Sequence, residues 1–382
     1  MKRYIPLAFA AAAGLLLSAC GTAPITHSTA PTQPVTEAPT TPPATVAPTT
    51  LPTEPPTEPE IPFDYTFCFT GDIAAQDGGR TTSYWISQGR DTSACFDETI
   101  FSHMQDADIC FVNNEFPYST RGSATPGKDY TYRADPANVQ LLLDLGVDMV
   151  SLANNHAYDY GPDALLDTLD TLHEAGITYV GAGKDLAEAS ETKFVELDGL
   201  RTAFISGTRV EWVELTKGAT EDSPGVFRTV DPTLLYQRVR EAREEADLVI
   251  VYIHWGIEAV DYLEEYQETV GKGLIDAGAD AVIGDHTHCL QGLEMYKGKP
   301  IIYSLGNYWF NARTQDTALA ELHVTGTKSD YTLTLQYLPA VQSNCRVSYI
   351  SDAGRQASYY QYLESISKNI VFDENGVVSE RS

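Results

Sequence analysis

Hydrophobic positions recur in two rhythms between residues 61 and 382. Alternation or short unbroken apolar runs predict strands at Tyr65–Thr70, Ile109–Val112, Val147–Leu152, Thr178–Val180, Arg201–Ile205, Leu248–Ile253, Ala281–Ile283 and Ile301–Ser304. Helical spacing predicts helices from Asp135-Pro136 to about Leu145, from Pro162 to Gly176, from Pro232 to about Glu245, and over Glu264–Ala277. Proline suits the first helical position, where its missing N–H costs nothing. Strands alternating with helices imply an α/β fold with parallel pairing. The nearly continuous apolar run Leu248–Ile253 implies a sheet covered on both faces. From about Thr317 to Leu338 alternation dominates, which predicts an antiparallel hairpin. A final helix and a loose end are expected from Ser358 onward.

The first sixty residues follow neither rhythm. Lys2 and Arg3 precede an apolar run from Ile5 to Leu17, too short for a spanning helix and typical of an export signal over 1–19. Leu17-Ser18-Ala19-Cys20 resembles a bacterial lipobox, which implies lipidation at Cys20. An ordinary secretory signal is the alternative. Residues 20–60 are rich in Thr and Pro and bury no core, so they are expected to form a disordered stalk. The picture is a domain over 61–382 held at the extracellular face of the cell membrane.

A formal charge of −28 argues against nucleic acid as a partner, and no dense Lys/Arg run offers a local exception. Cys68, Cys95, Cys110, Cys289 and Cys345 contain no CxxC pair. Cys68 and Cys110 fall inside apolar strands and are expected to be buried thiols.

The chemistry gathers where strands end. Gly71-Asp72, Asn114-Glu115, Asn154-Asn155-His156, His254-Trp255-Gly256 and Gly284-Asp285-His286-Thr287-His288 each follow an apolar run. Ligands bind beyond the carboxyl ends of strands in open α/β sheets, so these groups can converge. Imidazoles mixed with carboxylates suit Mn, Zn or Fe(II), as one or two ions. The expected metal ligands are Asp72, Glu115, His254, His286 and His288, with Glu258 as outer support. His156 with Asp159 forms a candidate catalytic imidazole–carboxylate pair, in which the aspartate would raise the histidine pKa. Alternatively, Asp159 caps the helix that follows. Arg133 and Asn114 are candidate substrate-binding residues, although a solvated arginine is the plain alternative.

These motifs, with Asn113-Asn114-Glu115-Phe116-Pro117 and Ser304-Leu305-Gly306-Asn307, resemble the CapA family of capsule and poly-gamma-glutamate synthesis proteins over about 63–340. That family is related to calcineurin-like metallophosphoesterases. The resemblance implies a four-layer αββα sandwich with a metal site at the strand ends. It also implies capsule polymer or synthase components as partners. Gly284-Asp285-His286-Thr287-His288 is similar to the closing GxHxH, and Asn155-His156 to the Asn-His pair, which implies Asn155 as a further metal ligand and His156 as acid or transition-state stabiliser. The Asp-x-His motif ends here in Ala74, and Asn114-Glu115 replaces the usual bridging aspartate. One metal position therefore has fewer protein ligands than the pattern supplies. Two readings stay open: a metal-dependent hydrolase of an envelope phosphoester or amide, or a non-catalytic accessory protein that binds or exports an anionic polymer. A lipoprotein that only binds a small ligand is a weaker third reading.

Overall fold

The computed structural model describes residues 60–210 and 215–381. The leader over 1–19, Cys20 and the Thr/Pro-rich segment up to 59 lie outside the described residues. Within Glu58–Ser382, which forms one compact unit, two sheets face each other. The first runs Arg346–Tyr349, Asp330–Ser343, Gln315–Thr327, Phe63–Ile73, Ile109–Asn114, Met149–Ser151, Thr178–Val180, with Asn307–Trp309 also paired to the end of Phe63–Ile73. The second runs Leu293–Tyr296, Lys299–Ile302, Ala281–Asp285, Leu248–Gly256, Leu200–Val210, Lys193–Leu197.

Three hydrophobic clusters define four layers. Phe67, Phe69 and Phe111 from the first sheet meet Phe204, Ile250, Tyr252 and Ile283 from the second. Cys68, Cys110, Val112 and Val150 point the other way, toward the helices Glu98–Asp106, Gln140–Asp144 and Pro162–Glu174. Val249, Val251, Ile253 and Val282 pack under Thr233–Glu245 and Glu265–Ala277. This is the expected αββα sandwich, and Cys68 and Cys110 are buried as expected.

Several expectations need revision. The helix expected over 135–145 is a 3-10 turn, Pro136–Val139, followed by a short helix, Gln140–Asp144. The hairpin extends from Gln315 to Ser343, and the last helix begins earlier, at Ala353, capped by Asp352. Helices Arg80–Ser87 and Glu98–Asp106 had no counterpart in the periodicity. Among the described residues no helix is long and apolar enough to cross a membrane.

The layer between the sheets is fixed directly beneath the strand ends. Phe111 stacks on Tyr252 with centroids 4.8 Å apart and meets Phe204 edge-on at 5.8 Å. Each such pair adds about 0.5–1.5 kcal/mol beyond burial. Tyr252 Oη also donates to Thr70 O at 2.6 Å, bridging the two sheets.

Candidate metal centre

Strand parity decides which side chains enter the centre. Asn113 shares parity with Ile109 and Phe111, which face the second sheet, and Asn114 shares it with Cys110 and Val112, which face the helices. His254 follows Ile250 and Tyr252 inward, and Asp285 follows Ala281 and Ile283. Asp72 enters through a bulge. Phe69 pairs with Phe111 and Asp72 with Asn113, so the first strand carries one extra residue between those pairs. A bulge re-aims the side chains beyond it. Gly71 is required beside it: a Cβ there would lie 1.8 Å from Gly306 O, whose carbonyl accepts from Asp72 N.

The expected ligands converge. His254 places Nε2 2.8 Å from Asn155 Oδ1, 3.0 Å from His286 Nδ1 and 3.7 Å from Glu115 Oε1. On the other side, His288 Nδ1 lies 3.1 Å from Asp72 Oδ2. Three donor sets each fall within 4.8 Å: Glu115, His254 and His286; Asp72, His254 and Asp285; Asp72, Glu115 and His288. His286 and His288 hold left-handed backbone conformations, with φ of 92° and 56°. Such strain persists where the surroundings enforce it, often at functional sites.

Electrostatics test whether a cation fits. Burial, then the charges of Asp72 and Asp285, push the Glu115 carboxyl far above its usual range. Asp285 is pushed up by burial and then by Asp72. Burial and neighbouring imidazoles drive His254 far below its ordinary value. Asp72 stays below the normal carboxylate range because contact with His288 outweighs its burial. Glu115 Oε1 and Asp285 Oδ2 are buried without a hydrogen-bond partner. Beyond the His288 imidazole that Asp72 raises, the side chains offer acceptors and lone pairs without a counter-charge, and a divalent cation matches that donor set.

Asp285, assigned no role from sequence, lies 2.9 Å from His254 Nδ1. A carboxylate that holds Nδ1–H leaves the Nε2 lone pair for a metal. Asn113, also overlooked, donates to Asp72 Oδ1 at 3.0 Å. Asn114 is a correction: its Nδ2 donates to Phe116 O at 2.7 Å, and parity turns it away from the centre.

His156 borders the centre, with Nε2 3.8 Å from Glu115 Oε1 and Nδ1 2.6 Å from Asp159 Oδ2. Asp159 does not cap the following helix, whose N-cap is Gly161. Instead it binds Lys128 Nζ at 2.5 Å and Tyr132 N at 2.7 Å. Lys128 was missed because it lies in a polar loop, with no periodic signal to place it. The expected rise in the His156 pKa does not occur: burial lowers it and outweighs Asp159. Tyr132 stacks on the ring at 4.1 Å.

Two cavities, of about 610 Å³ and about 280 Å³, meet at Tyr130, His156 and Glu258. Arg133 lines neither. Its guanidinium lies 4.2 Å from the Tyr160 ring centroid and donates to Arg121 O at 3.0 Å. Arg80 and Arg313 line the larger cavity instead.

Residues 66–312 match the family described as bacterial capsule synthesis protein PGA_cap. The chain belongs to that family. A capsule biosynthesis protein CapA of Bacillus anthracis is 31% identical over 257 residues, which cover 65% of this chain and 61% of that protein. A PGA biosynthesis protein CapA of Bacillus subtilis is 31% identical over 261 residues, covering 67% of each. The PGA_cap chain thus spans about two thirds of the length of these relatives. Among solved structures, Haemophilus influenzae NAD nucleotidase aligns with a TM-score of 0.38 and 12% identity, over 80% of this chain and 57% of that one. That likeness is slight, and the layer order rests on the chain's own packing.

Proposed function

We propose that this PGA_cap protein is a metal-dependent hydrolase acting on an envelope phosphoester or amide, in the service of capsule or poly-gamma-glutamate synthesis. The supporting observation is the convergence of Asp72, Glu115, Asn155, His254, His286 and His288 around partnerless buried carboxylate oxygens. One position would be held by Asn155, His254, His286 and Glu115; the other by Asp72, His288 and Glu115. A bound divalent cation would supply Lewis acidity and lower the pKa of bound water to roughly 7.

Asp285 orients His254, and the loop carrying Lys128 and Tyr132 holds His156 and Asp159 against the cavity. With Nδ1 engaged by Asp159, His156 presents Nε2 to a group in the cavity, where it gives or takes a proton. The export signal, the stalk and the lipobox at Cys20 support placement at the extracellular face of the membrane.

A non-catalytic accessory role is the second reading, favoured by Ala74, which supplies no donor where the related motif carries histidine. Turnover decides between them. With Mn or Zn present, a panel of phosphodiesters and gamma-glutamyl amides should reveal a hydrolysed substrate. His156→Ala should slow its turnover by about 10²–10⁴-fold, the usual range for a general acid or base. Metal binding without turnover on either class would favour the accessory role.

A further inference from the structure

We propose that Arg80 and Arg313 clamp a negatively charged group of the substrate, a carboxylate or a phosphate, in the cavity that His156 and His288 line. This rests on reading that cavity as the substrate site. Acidic side chains outnumber basic ones 53 to 25 in this chain, so carboxylate partners are plentiful. Arg121, Arg243 and Arg355, for example, are each paired with an aspartate. Neither the Arg80 nor the Arg313 guanidinium has a carboxylate or hydrogen-bond partner among the described residues, and both line the cavity of about 610 Å³. Glu258 is the one carboxylate among the lining residues.

The two arginines stand on separate, fixed segments. Arg80 opens the helix Arg80–Ser87, just after Gly78-Gly79, which also lines the cavity. Arg313 lies in the turn between Asn307–Trp309 and Gln315–Thr327. Buried Gln342 pins that turn, accepting from Phe310 N at 2.7 Å and Asn311 N at 3.2 Å and donating to Arg313 O at 3.4 Å. Arg313 N donates to Asn311 Oδ1 at 2.8 Å. A backbone already fixed by these bonds loses little freedom on binding. The planar guanidinium fork matches carboxylate and phosphate oxygens.

Calorimetric titration of the full-length chain tests the clamp. Glutarate and inorganic phosphate are the charged probes, and glycerol the neutral control. Each is titrated into the metal-free wild type, Arg80→Ala, Arg313→Ala and the double arginine variant. At least one anion should bind the wild type, with affinity falling as salt rises, while glycerol does not bind. Each single arginine variant should lose about tenfold and the double variant all measurable binding. Preference for glutarate assigns a carboxylate group, and preference for phosphate a phosphate. Equal affinity in the double variant, or no anion binding to wild type, overturns the clamp. Arginine-dependent binding in a protein that never takes up metal leaves the clamp intact and removes the hydrolase reading.

Discussion

Two clusters combine histidines with carboxylates, and they balance their charge differently. Away from the candidate metal centre, Glu321 is shared between His103 at 2.8 Å and His323 at 3.4 Å. Its carboxyl lies below the usual range because the two imidazoles outweigh burial. Contact with Glu321 raises both histidines. That cluster supplies its own counter-charge. In the centre Asp72 and His288 pair in the same sense, but Glu115 and Asp285 are raised, His254 is lowered and carboxylate oxygens are left unpartnered. Histidine and carboxylate content alone therefore does not mark a candidate metal site; buried carboxylate oxygens without partners do.

The largest test of that contrast is thermal. A ligand that binds only the folded state at a hundredfold excess over its Kd adds about 2.7 kcal/mol. Mn or Zn at that excess should raise the wild-type Tm, and His286→Ala/His288→Ala should abolish the gain. His103→Ala/His323→Ala should leave it in place; an equal loss there would erase the distinction between the clusters.

Asp285→Asn probes the support beneath His254. Mutation of such outer partners weakens metal affinity about 10–100-fold, so a competition titration with a chromogenic chelator should show a fall in that range. Unchanged affinity would reduce Asp285 to a structural acceptor.

Replacing a carboxylate by its amide should then act with opposite signs in the metal-free protein. Glu115 has a folded pKa above its unfolded value. Its favourable contribution is therefore present at low pH and lost as pH rises toward the folded pKa. Glu115→Gln should accordingly stabilise the metal-free chain at pH 7, by about 1 kcal/mol. Glu321 is depressed, and its contribution is present above the unfolded pKa and lost as pH falls through the folded one. Glu321→Gln should destabilise by about 1–2 kcal/mol at pH 6, where its raised histidine partners are charged. Urea midpoints at both pH values decide this, and the same sign for both variants would contradict the charge assignment.

The smallest effect should come from Arg133→Ala. Its guanidinium stacks on Tyr160 and touches neither cavity, so stability should change by less than about 0.5 kcal/mol. A loss of anion binding comparable to that of Arg80→Ala would return Arg133 to the site.

The sequence placed the donor motifs well because each follows an apolar run, and a run predicts a strand end. Local spacing also revealed the His156–Asp159 pair. What it could not supply was facing. Choosing Asn113 over Asn114 required knowing which parity of Ile109–Asn114 meets the second sheet. Asp72 enters through a bulge that exists only in the pairing of Phe63–Ile73 with its neighbour. Lys128, Arg80 and Arg313 sit in loops or at a helix start, where apolar periodicity carries no information. The lowered pKa of His156 follows from burial, which a sequence neighbour such as Asp159 does not disclose.

Metal content tests the central claim most directly. The full-length chain, purified without a histidine tag and without added metal, should be measured by elemental analysis beside His286→Ala/His288→Ala. About one to two transition-metal ions per chain are expected in the wild type and none in the variant, in keeping with a donor set that shares Glu115 between two positions. No metal in either protein, even after incubation with Mn or Zn, would contradict a metal centre and leave the buried carboxylates without their counter-charge.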